Sequence, residues 1–305
     1  MTASSPLPGS ERRSPTAMEF EAFCRSLESW RSSRGAEAAS LVALRKVPSS
    51  HRLARRILRE YSAEESRIPA VDLVAWEQVE GHGREGRSWS SPPGAGLYVS
   101  LVRPLRSALI STLPMAVPVV LASAVGERIS GACRVKWPND LVVGERKLGG
   151  ILIDIMSQGE SRGAVISFGL NVASDLSPFT AAASAPSAIT SIGALAPEAD
   201  PAKPAHQILA DLFCDLLDRL NPALAESLAG EEGSEARPWI DRYRALSAHH
   251  PGDRVRWRHR GRLVEGNFLG FDGSGHLLLE IEGEEQRITA GDILASREKA
   301  ADDGH

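Results

Sequence analysis

The pattern of apolar residues in the first part of the chain predicts a strand followed by a helix. The run from Leu41 to Leu44 is typical of a buried strand. Ser49-Ser50 then precedes His51 to Tyr61, where apolar side chains return at helical spacing, and serine is a preferred helix cap. Before them, the Ser-, Pro- and Thr-rich residues 1 to about 17 predict a disordered tail, and Met18 to Arg34 predict one short helix.

Two further strands are predicted on either side of a long polar loop. The strands are Val71 to Gln78 and Gly96 to Val102, and the loop runs from Gly81 to Pro93. The most apolar window of the chain, Ala108 to Val125, comes next. Because it contains two prolines and lies within a soluble pattern, it predicts a buried core helix and not a membrane span.

Three more strands predict the class of fold. They are Arg134 to Trp137, Lys147 to Met156 and Ala164 to Val172, with Gly144-Glu145-Arg146 predicted as the hairpin turn between the first two. Strands that follow one another directly favour an α+β fold over a doubly wound parallel sheet. We therefore predict a mixed sheet with helices on one side.

The last third of the chain changes from helices to short strands. An irregular stretch over 174–204 precedes the predicted helices His206 to Leu220 and Trp239 to Ser247. From about residue 249, alternating residues and tight turns such as Asp272-Gly273-Ser274-Gly275 predict a small β-barrel. The predicted organisation is a tail over 1–40, a large domain over 41–248, the barrel over 249–298 and a disordered tail over 299–305.

Composition narrows the class of protein. With 305 residues, 42% of them hydrophobic and 24% charged, the chain can bury a full core. Its formal net charge of -4 gives no general attraction to nucleic acid, and we interpret the basic stretch Arg52 to Arg59 as a solvated helix face. Its three cysteines lie far apart, which indicates neither a zinc site nor a disulfide framework. Without a signal-peptide core, the chain is expected in the cytoplasm.

The loop from Gly81 to Trp89 is the first candidate for chemistry. Its three glycines let the backbone approach a ligand closely, and Arg84 and Arg87 can face phosphate or carboxylate oxygens. It is not a dinucleotide-binding fingerprint, because Pro92-Pro93 and another strand follow where a crossover helix should begin. Taken alone, the loop is also compatible with a mobile surface turn.

The second candidate is Lys136-Trp137-Pro138-Asn139-Asp140, followed by Lys147-Leu148-Gly149-Gly150-Ile151-Leu152. A lysine at the mouth of a site can hold an anion as a point charge during acyl or phosphoryl transfer. A lysine at the end of a strand is also commonly solvated. By itself, the segment is compatible with either a structural turn or a site.

Together, and in this order, the two segments resemble the biotin protein ligase family. Its pattern combines a glycine and arginine loop, a Lys-Trp-Pro-Asn-Asp segment and a Lys-Leu-x-Gly-Ile-Leu strand. The resemblance covers roughly Leu41 to Arg297. It implies an α+β catalytic domain similar to class II synthetases and an SH3-like C-terminal barrel. It also implies that biotin and ATP form biotinyl-5′-adenylate, and that biotin then passes to a lysine of a biotin carboxyl carrier protein, a subunit of acetyl-CoA carboxylase.

The resemblance assigns roles to individual residues. Arg84 and Arg87 match the loop arginines that close over biotin and the phosphates, and Lys136 matches the lysine that contacts the biotin carboxylate and the reacting phosphate. These three are the expected catalytic residues. The other implied biotin contacts are Ser49, Ser50, His51, Gln78, Gly81, His82, Gly83 and Gly150. The other implied contacts to ATP or the adenylate are Trp89, Asn139, Lys147 and Asn171. Alternatively, Trp89 only anchors the end of the loop and Asn171 only caps a turn at a strand end.

Such chemistry explains the predicted cations. A carboxylate and a polyphosphate repel each other, so attack on the α-phosphate needs several fixed positive charges, with Mg²⁺ expected among them. The sequence does not identify ligands for that metal. No nucleophilic Ser or Cys is required, because the carboxylate attacks first and the carrier lysine completes the transfer.

Three positions depart from the family's pattern. His82 stands where the loop usually has Arg, Glu85 where a neutral or basic residue is common, and His51 where Asn is common. An unperturbed histidine is mostly neutral above pH ~6.5. We therefore hypothesise that ligand and adenylate retention weakens as the pH rises above that value.

The resemblance leaves two alternatives to a biotin ligase. A lipoate or octanoate ligase shares the catalytic fold, and the departures at His82 and Glu85 would suit a non-catalytic module that senses biotin. The retained cations favour an enzyme. Too few residues precede Leu41 for the winged helix of some family members, so we expect a monofunctional ligase whose partner is the carrier protein, with neither nucleic acid nor membrane. A monomer and a homodimer both remain open.

Overall fold

The computed structural model describes residues 15–35, 38–64, 67–105, 112–158, 161–180, 189–196, 203–229, 236–259 and 261–294. The tails predicted at both ends therefore lie largely outside the described residues, as does much of the stretch over 174–204. The helix predicted from Met18 is present as α1 (Pro15–Ser32). It packs against the main core, where the Phe23 and Trp76 rings lie 5.4 Å apart.

A seven-stranded mixed sheet forms the centre of the molecule. Its strands are β1 (Ser40–Leu44), β2 (Val71–Ala75), β3 (Gly96–Pro104), β4 (Cys133–Lys136), β5 (Asp140–Val143), β6 (Arg146–Gln158) and β7 (Ser161–Asn171). Their order is β1-β2-β3-β7-β6-β5-β4. Strands β1 and β2 pair in parallel, and the other neighbours in this sheet are antiparallel. The predicted α+β class with a mixed sheet is thus confirmed.

Helices cover both faces of this sheet, so the prediction of helices on one side is wrong. Helix α2 (Ser50–Ala63) packs on one face with Leu73, Val102 and Val165. The opposite face carries α3 (Leu113–Gly126) and α6 (Ala205–Ala229), whose apolar residues join the larger core. The central strands place apolar side chains on both faces, as adjacent Leu101 and Val102 show. Helices on both sides are needed to bury them.

The apolar window is a buried helix, as predicted. Nearly all of α3 is buried, although Pro114 lies in its first turn and Pro118 in its interior. Among the described residues, no helix has both the length and the apolar character needed to cross a membrane. The other helices are α4 (Ser177–Thr180), α5 (Ile192–Leu195) and α7 (Ala236–Leu246).

The hairpins around Lys136 differ from the prediction. The turn at Gly144-Glu145 joins β5 to β6. The prediction placed it between β4 and β6 because the sequence pattern does not show β5 as a separate strand. Residues Trp137 to Asn139 form the turn between β4 and β5. Each of these two strands has only four residues, too few for alternation to separate them in the sequence.

The C-terminal part is a five-stranded antiparallel sheet. Its strands are β8 (Arg254–His259), β9 (Arg262–Phe271), β10 (Leu277–Ile281), β11 (Glu284–Ile288) and β12 (Asp292–Leu294), in the order β11-β10-β9-β8-β12. The predicted turn at Asp272 is present, since the Gly275 N–H donates to the Asp272 carbonyl at 3.1 Å. The Phe271 ring lies 5.1 Å from that of Tyr243 on α7, so this sheet packs on the main core.

Candidate functional site

One cavity of about 250 Å³ brings most of the predicted site residues together. It lies between the start of α2, the loop over 81–89, and strands β6 and β7. Two of the predicted residues, Gly81 and Lys136, do not line it. The predicted residues that do line it are Ser49, Ser50, His51, Gln78, His82, Gly83, Arg84, Arg87, Trp89, Asn139, Lys147, Gly150 and Asn171.

A chain of hydrogen bonds forms the floor of this cavity. The backbone N–H and hydroxyl of Ser50 both donate to Gln78 Oε1, at 2.8 and 3.0 Å. The Ser50 and Ser100 hydroxyls lie 2.8 Å apart, and the Ser167 hydroxyl donates to Ser100 at 2.8 Å. His51 Nδ1 lies 2.8 Å from the Ser167 hydroxyl. Because these groups are mostly buried and already paired, they hold one another in fixed positions.

Ser100 and Ser167 were not predicted as site residues. Each is a polar residue inside an otherwise apolar stretch of strand, and both face α2. A buried polar side chain needs a partner. That signal was available in the sequence, but the identity of the partners depends on the order of the strands.

The two histidines that depart from the family's pattern face each other in the cavity. The His51 and His82 rings are 5.5 Å apart in an edge-on arrangement, and His82 Nδ1 lies 3.3 Å from the Ser49 hydroxyl. Burial lowers the pKa of His82, and the nearby His51, Arg52 and Arg55 lower it further, against a backbone hydrogen bond at Glu80. His82 is therefore a neutral hydrogen-bonding group at pH 7.

A carboxylate behind His51 completes this side of the cavity. His51 Nε2 lies 3.3 Å from Asp154 Oδ2, and Arg55 Nε lies 2.9 Å from the same oxygen. The hydrogen bond with His51 is the main cause that lowers the pKa of Asp154. Asp154 stays ionised at neutral pH and holds the His51 ring in place.

The glycine and arginine loop is a small hairpin with a tight tip. The Trp89 N–H donates to the Gly81 carbonyl at 2.9 Å, and the Gly83 N–H donates to the Arg87 carbonyl at 2.6 Å. A side chain at Gly81 would collide with the Trp89 carbonyl, so this glycine closes the base of the loop and does not line the cavity. Glu85 at the tip has a φ of 55°, in the left-handed region.

Both loop arginines reach a carboxylate from the C-terminal sheet. Arg87 Nη2 lies 2.6 Å from Asp292 Oδ2, and Arg84 Nη1 lies 3.5 Å from Asp292 Oδ1. Asp292 also lines the cavity. Asp292 was not among the predicted site residues, because no local sequence pattern links β12 to a loop about 200 positions earlier.

Lys147 is the lysine that lines this cavity. Its Nζ lies 2.6 Å from Asp140 Oδ1 and 5.4 Å from the centre of the Trp89 ring. A Cβ at Gly150 would be 3.6 Å from the same Nζ, so the glycine keeps space open beside the ammonium group. Lys147 is therefore a fixed positive charge next to an open volume.

Lys136, predicted as a catalytic residue, lies outside this cavity. It pairs in register with Asp140 on the outermost strand, β4, but the Asp140 carboxylate is engaged with Lys147. Lys136 lines a second cavity of about 260 Å³, together with Glu145, His249, Asp253 and Arg254. Burial lowers its pKa, and the nearby Asp140 and Glu145 oppose this effect.

Three other predicted residues have visible structural contacts. The Trp89 indole packs over Gly169, where a Cβ would lie 2.6 Å from Nε1, so this side chain anchors the loop on β7. Asn139 Nδ2 donates to the Ile151 carbonyl at 2.7 Å, and Asn171 Nδ2 donates to the Thr190 carbonyl at 3.0 Å. Each of the three also lines the cavity.

Among the described residues, no group of three or more His, Cys, Asp or Glu side chains is arranged to hold a metal ion. The three cysteines are free. Mg²⁺ commonly binds through one or two carboxylates together with substrate phosphates. The oxygen donors of Asp140 and Asn139 in the cavity suit that mode and not a closed protein cage.

Several known proteins are similar to this chain in sequence. Residues 55–171 match the model of the biotin/lipoate A/B protein ligase family. The biotin--[acetyl-CoA-carboxylase] ligase of Paracoccus denitrificans is 30% identical over 239 residues, which cover 74% of this chain and 92% of that protein. The chain belongs to the biotin protein ligase family. It is also 39% identical over 103 residues to the bifunctional ligase/repressor BirA of Escherichia coli, a match that spans only 32% of that relative.

Solved structures of this family share the fold. A biotin protein ligase from Aquifex aeolicus in complex with biotin and ATP has a TM-score of 0.60, with 21% identity over 84% of this chain and 97% of that one. A mutant of the same ligase, in complex with biotin, has a TM-score of 0.62, with 20% identity over 85% of this chain and 98% of that one. These likenesses support the predicted architecture of the family's catalytic domain.

Proposed function

We propose that the protein is a biotin protein ligase that activates biotin with ATP and transfers it to a lysine of a biotin carboxyl carrier protein. The observation that carries this proposal is one cavity with two chemically different parts. Its floor of Ser50, Gln78 and His51 offers donors and acceptors that hydrogen bonds hold in position. Its rim carries the cations Arg84, Arg87 and Lys147. A neutral ring with polar edges suits the floor, whereas a carboxylate and phosphates suit the rim.

In the first step, a biotin carboxylate oxygen attacks the α-phosphorus of ATP and pyrophosphate leaves. We assign to Lys147 the contact with the carboxylate and the reacting phosphate that the sequence analysis gave to Lys136. This assignment is supported by the place of Lys147 in the cavity and by its fixed position 2.6 Å from Asp140. Mg²⁺, held by the phosphates with Asp140 or Asn139 as oxygen donors, would supply further positive charge.

In the second step, the carrier lysine attacks the acyl carbon of the adenylate and AMP leaves. The protein needs no nucleophile of its own for this step. It has to keep water away from the mixed anhydride until the carrier arrives. The loop over 81–89 suits that task, because it is closed at its base by Gly81 and anchored at its end by Trp89.

Finer features of the family are part of the same proposal. The five antiparallel strands from Arg254 to Leu294 support an SH3-like barrel, with the large domain over 41–248 and the small one over 249–298. The free cysteines support a reducing, cytoplasmic site of action. We propose a carrier protein as the macromolecular partner, for either a monomer or a homodimer.

A single incubation tests the function. Purified protein is mixed with ATP, Mg²⁺ and either biotin or lipoate, and mass spectrometry follows the adenylate and the label on an added carrier domain. We expect biotinyl-adenylate and a biotinylated carrier, with no lipoyl product. Activation of lipoate would identify a lipoate ligase. Binding of biotin without any adenylate would identify a sensing module.

A further inference from the structure

Asp292 connects the C-terminal sheet to the loop of the first cavity through its carboxylate. It is only 13% exposed, and its two oxygens face the guanidinium groups of both Arg84 and Arg87. Its contact with Arg87 is a hydrogen-bonded ion pair at 2.6 Å. Asp292 therefore holds two cations, and the exposed Glu85 lies farther away, 3.8 Å from Arg87 Nη2.

The backbone beside Asp292 is shaped for this contact. Arg84 Nη1 donates to the Gly291 carbonyl at 3.2 Å. Gly291 has a φ of 116°, and a Cβ there would lie 2.6 Å from the Arg258 carbonyl and collide with the Trp257 indole. The Trp257 indole in turn donates to the Ala290 carbonyl at 2.9 Å. The C-terminal sheet thus fixes the position of Asp292 before any ligand binds.

The contact occupies only part of the donor capacity of the two arginines. A guanidinium group carries five N–H donors. Arg84 uses Nη1 toward the C-terminal sheet, and Arg87 uses Nη2 toward Asp292 and Nε toward the Arg84 carbonyl at 3.4 Å. Further N–H groups of both side chains can still meet carboxylate or phosphate oxygens. Because long side chains lose rotamer freedom when they bind, holding them in advance favours binding.

We propose that Asp292 is a positioning residue of the ligase reaction, which orders Arg84 and Arg87 at the cavity so that they meet the anionic substrate already in place. This inference rests on the proposed function. Asp292 touches the arginines and not the reacting atoms. If Asp292 instead competed with phosphate for the arginines, removal of its charge would lower the KM for ATP and not raise it.

The test compares Asp292→Asn with Glu284→Gln, which removes an exposed carboxylate from the same sheet. In the ligand-free protein, amide hydrogen exchange in residues 81–91 should be at least about 5-fold faster in Asp292→Asn than in wild type or Glu284→Gln. Residues 164–171 of β7 should exchange at the wild-type rate. Unchanged exchange in the loop, or faster exchange in both segments, would overturn the proposal.

Kinetics of adenylate formation provide the second measurement. We expect the KM for ATP to rise about 10-fold in Asp292→Asn while kcat stays within about 3-fold, because a contact made equally in the ground and transition states is lost. A lower KM would show competition and overturn the proposal. If wild type forms no adenylate at all, the proposed function fails, and the exchange result still decides whether Asp292 orders the loop.

Discussion

The two cavities described above have nearly the same volume, about 250 and 260 Å³, and each is lined by a lysine and at least one histidine. In the first, Lys147 is paired with Asp140 at 2.6 Å, and His51 has partners on both ring nitrogens. In the second, the buried Nε2 of His249 has no hydrogen-bond partner among the described residues. The first cavity also holds a buried donor without a partner among those residues, Trp89 Nε1, so the two cavities differ in the pairing of their lysine and histidine side chains.

This difference teaches which properties identify a site. Burial lowers the pKa of both Lys136 and His249, against the opposing effects of Asp140 and Glu145 at the lysine and of Asp253 at the histidine, so the second cavity favours the neutral form of each group. In the first cavity, paired groups keep fixed positions and leave some donors directed at open volume. An anionic reaction needs fixed charges in advance of the chemistry. The first cavity meets that requirement, and the second does not.

The strongest test of this comparison replaces each of the two lysines in turn. We expect Lys147→Met to slow adenylate formation by at least about 100-fold, because a fixed cation facing the developing charge is lost. Lys136→Met should stay within about 3-fold of wild type. Single-turnover formation of the adenylate, followed by mass spectrometry, measures both. A large effect at Lys136 and a small one at Lys147 would return the catalytic role to Lys136.

Local sequence predicted much of the first cavity. The cap at Ser49-Ser50, the helix after it and the loop over 81–89 are each encoded by adjacent residues, and each lies where it was expected. The choice between Lys136 and Lys147 was not local. It depends on strand β5, which lies between Lys147 on β6 and Lys136 on β4 and so places Lys136 two strands further out in the sheet.

Long-range pairing also explains the contacts that the residue patterns did not predict. Ser100 and Ser167 are brought together only because β3 and β7 are neighbours in the sheet. Asp292 meets Arg87 across about 200 positions of chain. Such contacts follow from tertiary packing, which local residue patterns do not reveal.

The unpaired histidine of the second cavity makes a prediction about stability. Burial lowers the pKa of His249 to about 4, with nearby Lys136 and His250 lowering it and Asp253 raising it. Between pH 6.5 and 4 the unfolded chain therefore binds a proton that the folded protein does not. We expect a loss of stability on the order of 3 kcal/mol as the pH falls through this window, and no loss from this group above it.

Urea denaturation at several pH values measures this effect. His249→Gln should flatten the pH dependence between 6.5 and 4, whereas His250→Gln, at an exposed neighbour, should leave it as in wild type. Equal slopes in wild type and His249→Gln would show that the second cavity accommodates the charged ring after all. That result would remove the contrast between the two cavities.

A smaller effect is expected when one buried serine hydroxyl is removed beside each cavity and the KM for biotin is compared. Ser50→Ala removes a buried hydroxyl from the floor, and we expect the KM for biotin to rise about 10-fold, because Gln78 and Ser100 lose a hydrogen bond that fixes their positions. Ser247→Ala is the matched control, since its buried hydroxyl donates to the His249 carbonyl at 2.8 Å beside the second cavity. It should lower the melting temperature similarly without changing the KM. Equal KM values in both variants would contradict the assignment of the floor.

The smallest expected effect concerns His82. Because burial lowers its pKa, the transition in adenylate retention should lie below pH 6.5 and not at it, with His82 neutral and retention weaker above the transition. In His82→Arg, a permanent cation near His51, Arg52 and Arg55 should slow adenylate dissociation by about 2- to 5-fold at pH 7, an effect on the scale of a partly exposed charge pair. Dissociation rates measured from about pH 5 to 8 should fall with acidity in wild type and stay flat in the variant. Identical profiles would show that the His82 ring acts only through its hydrogen bond with Ser49 and that its charge does not affect adenylate retention.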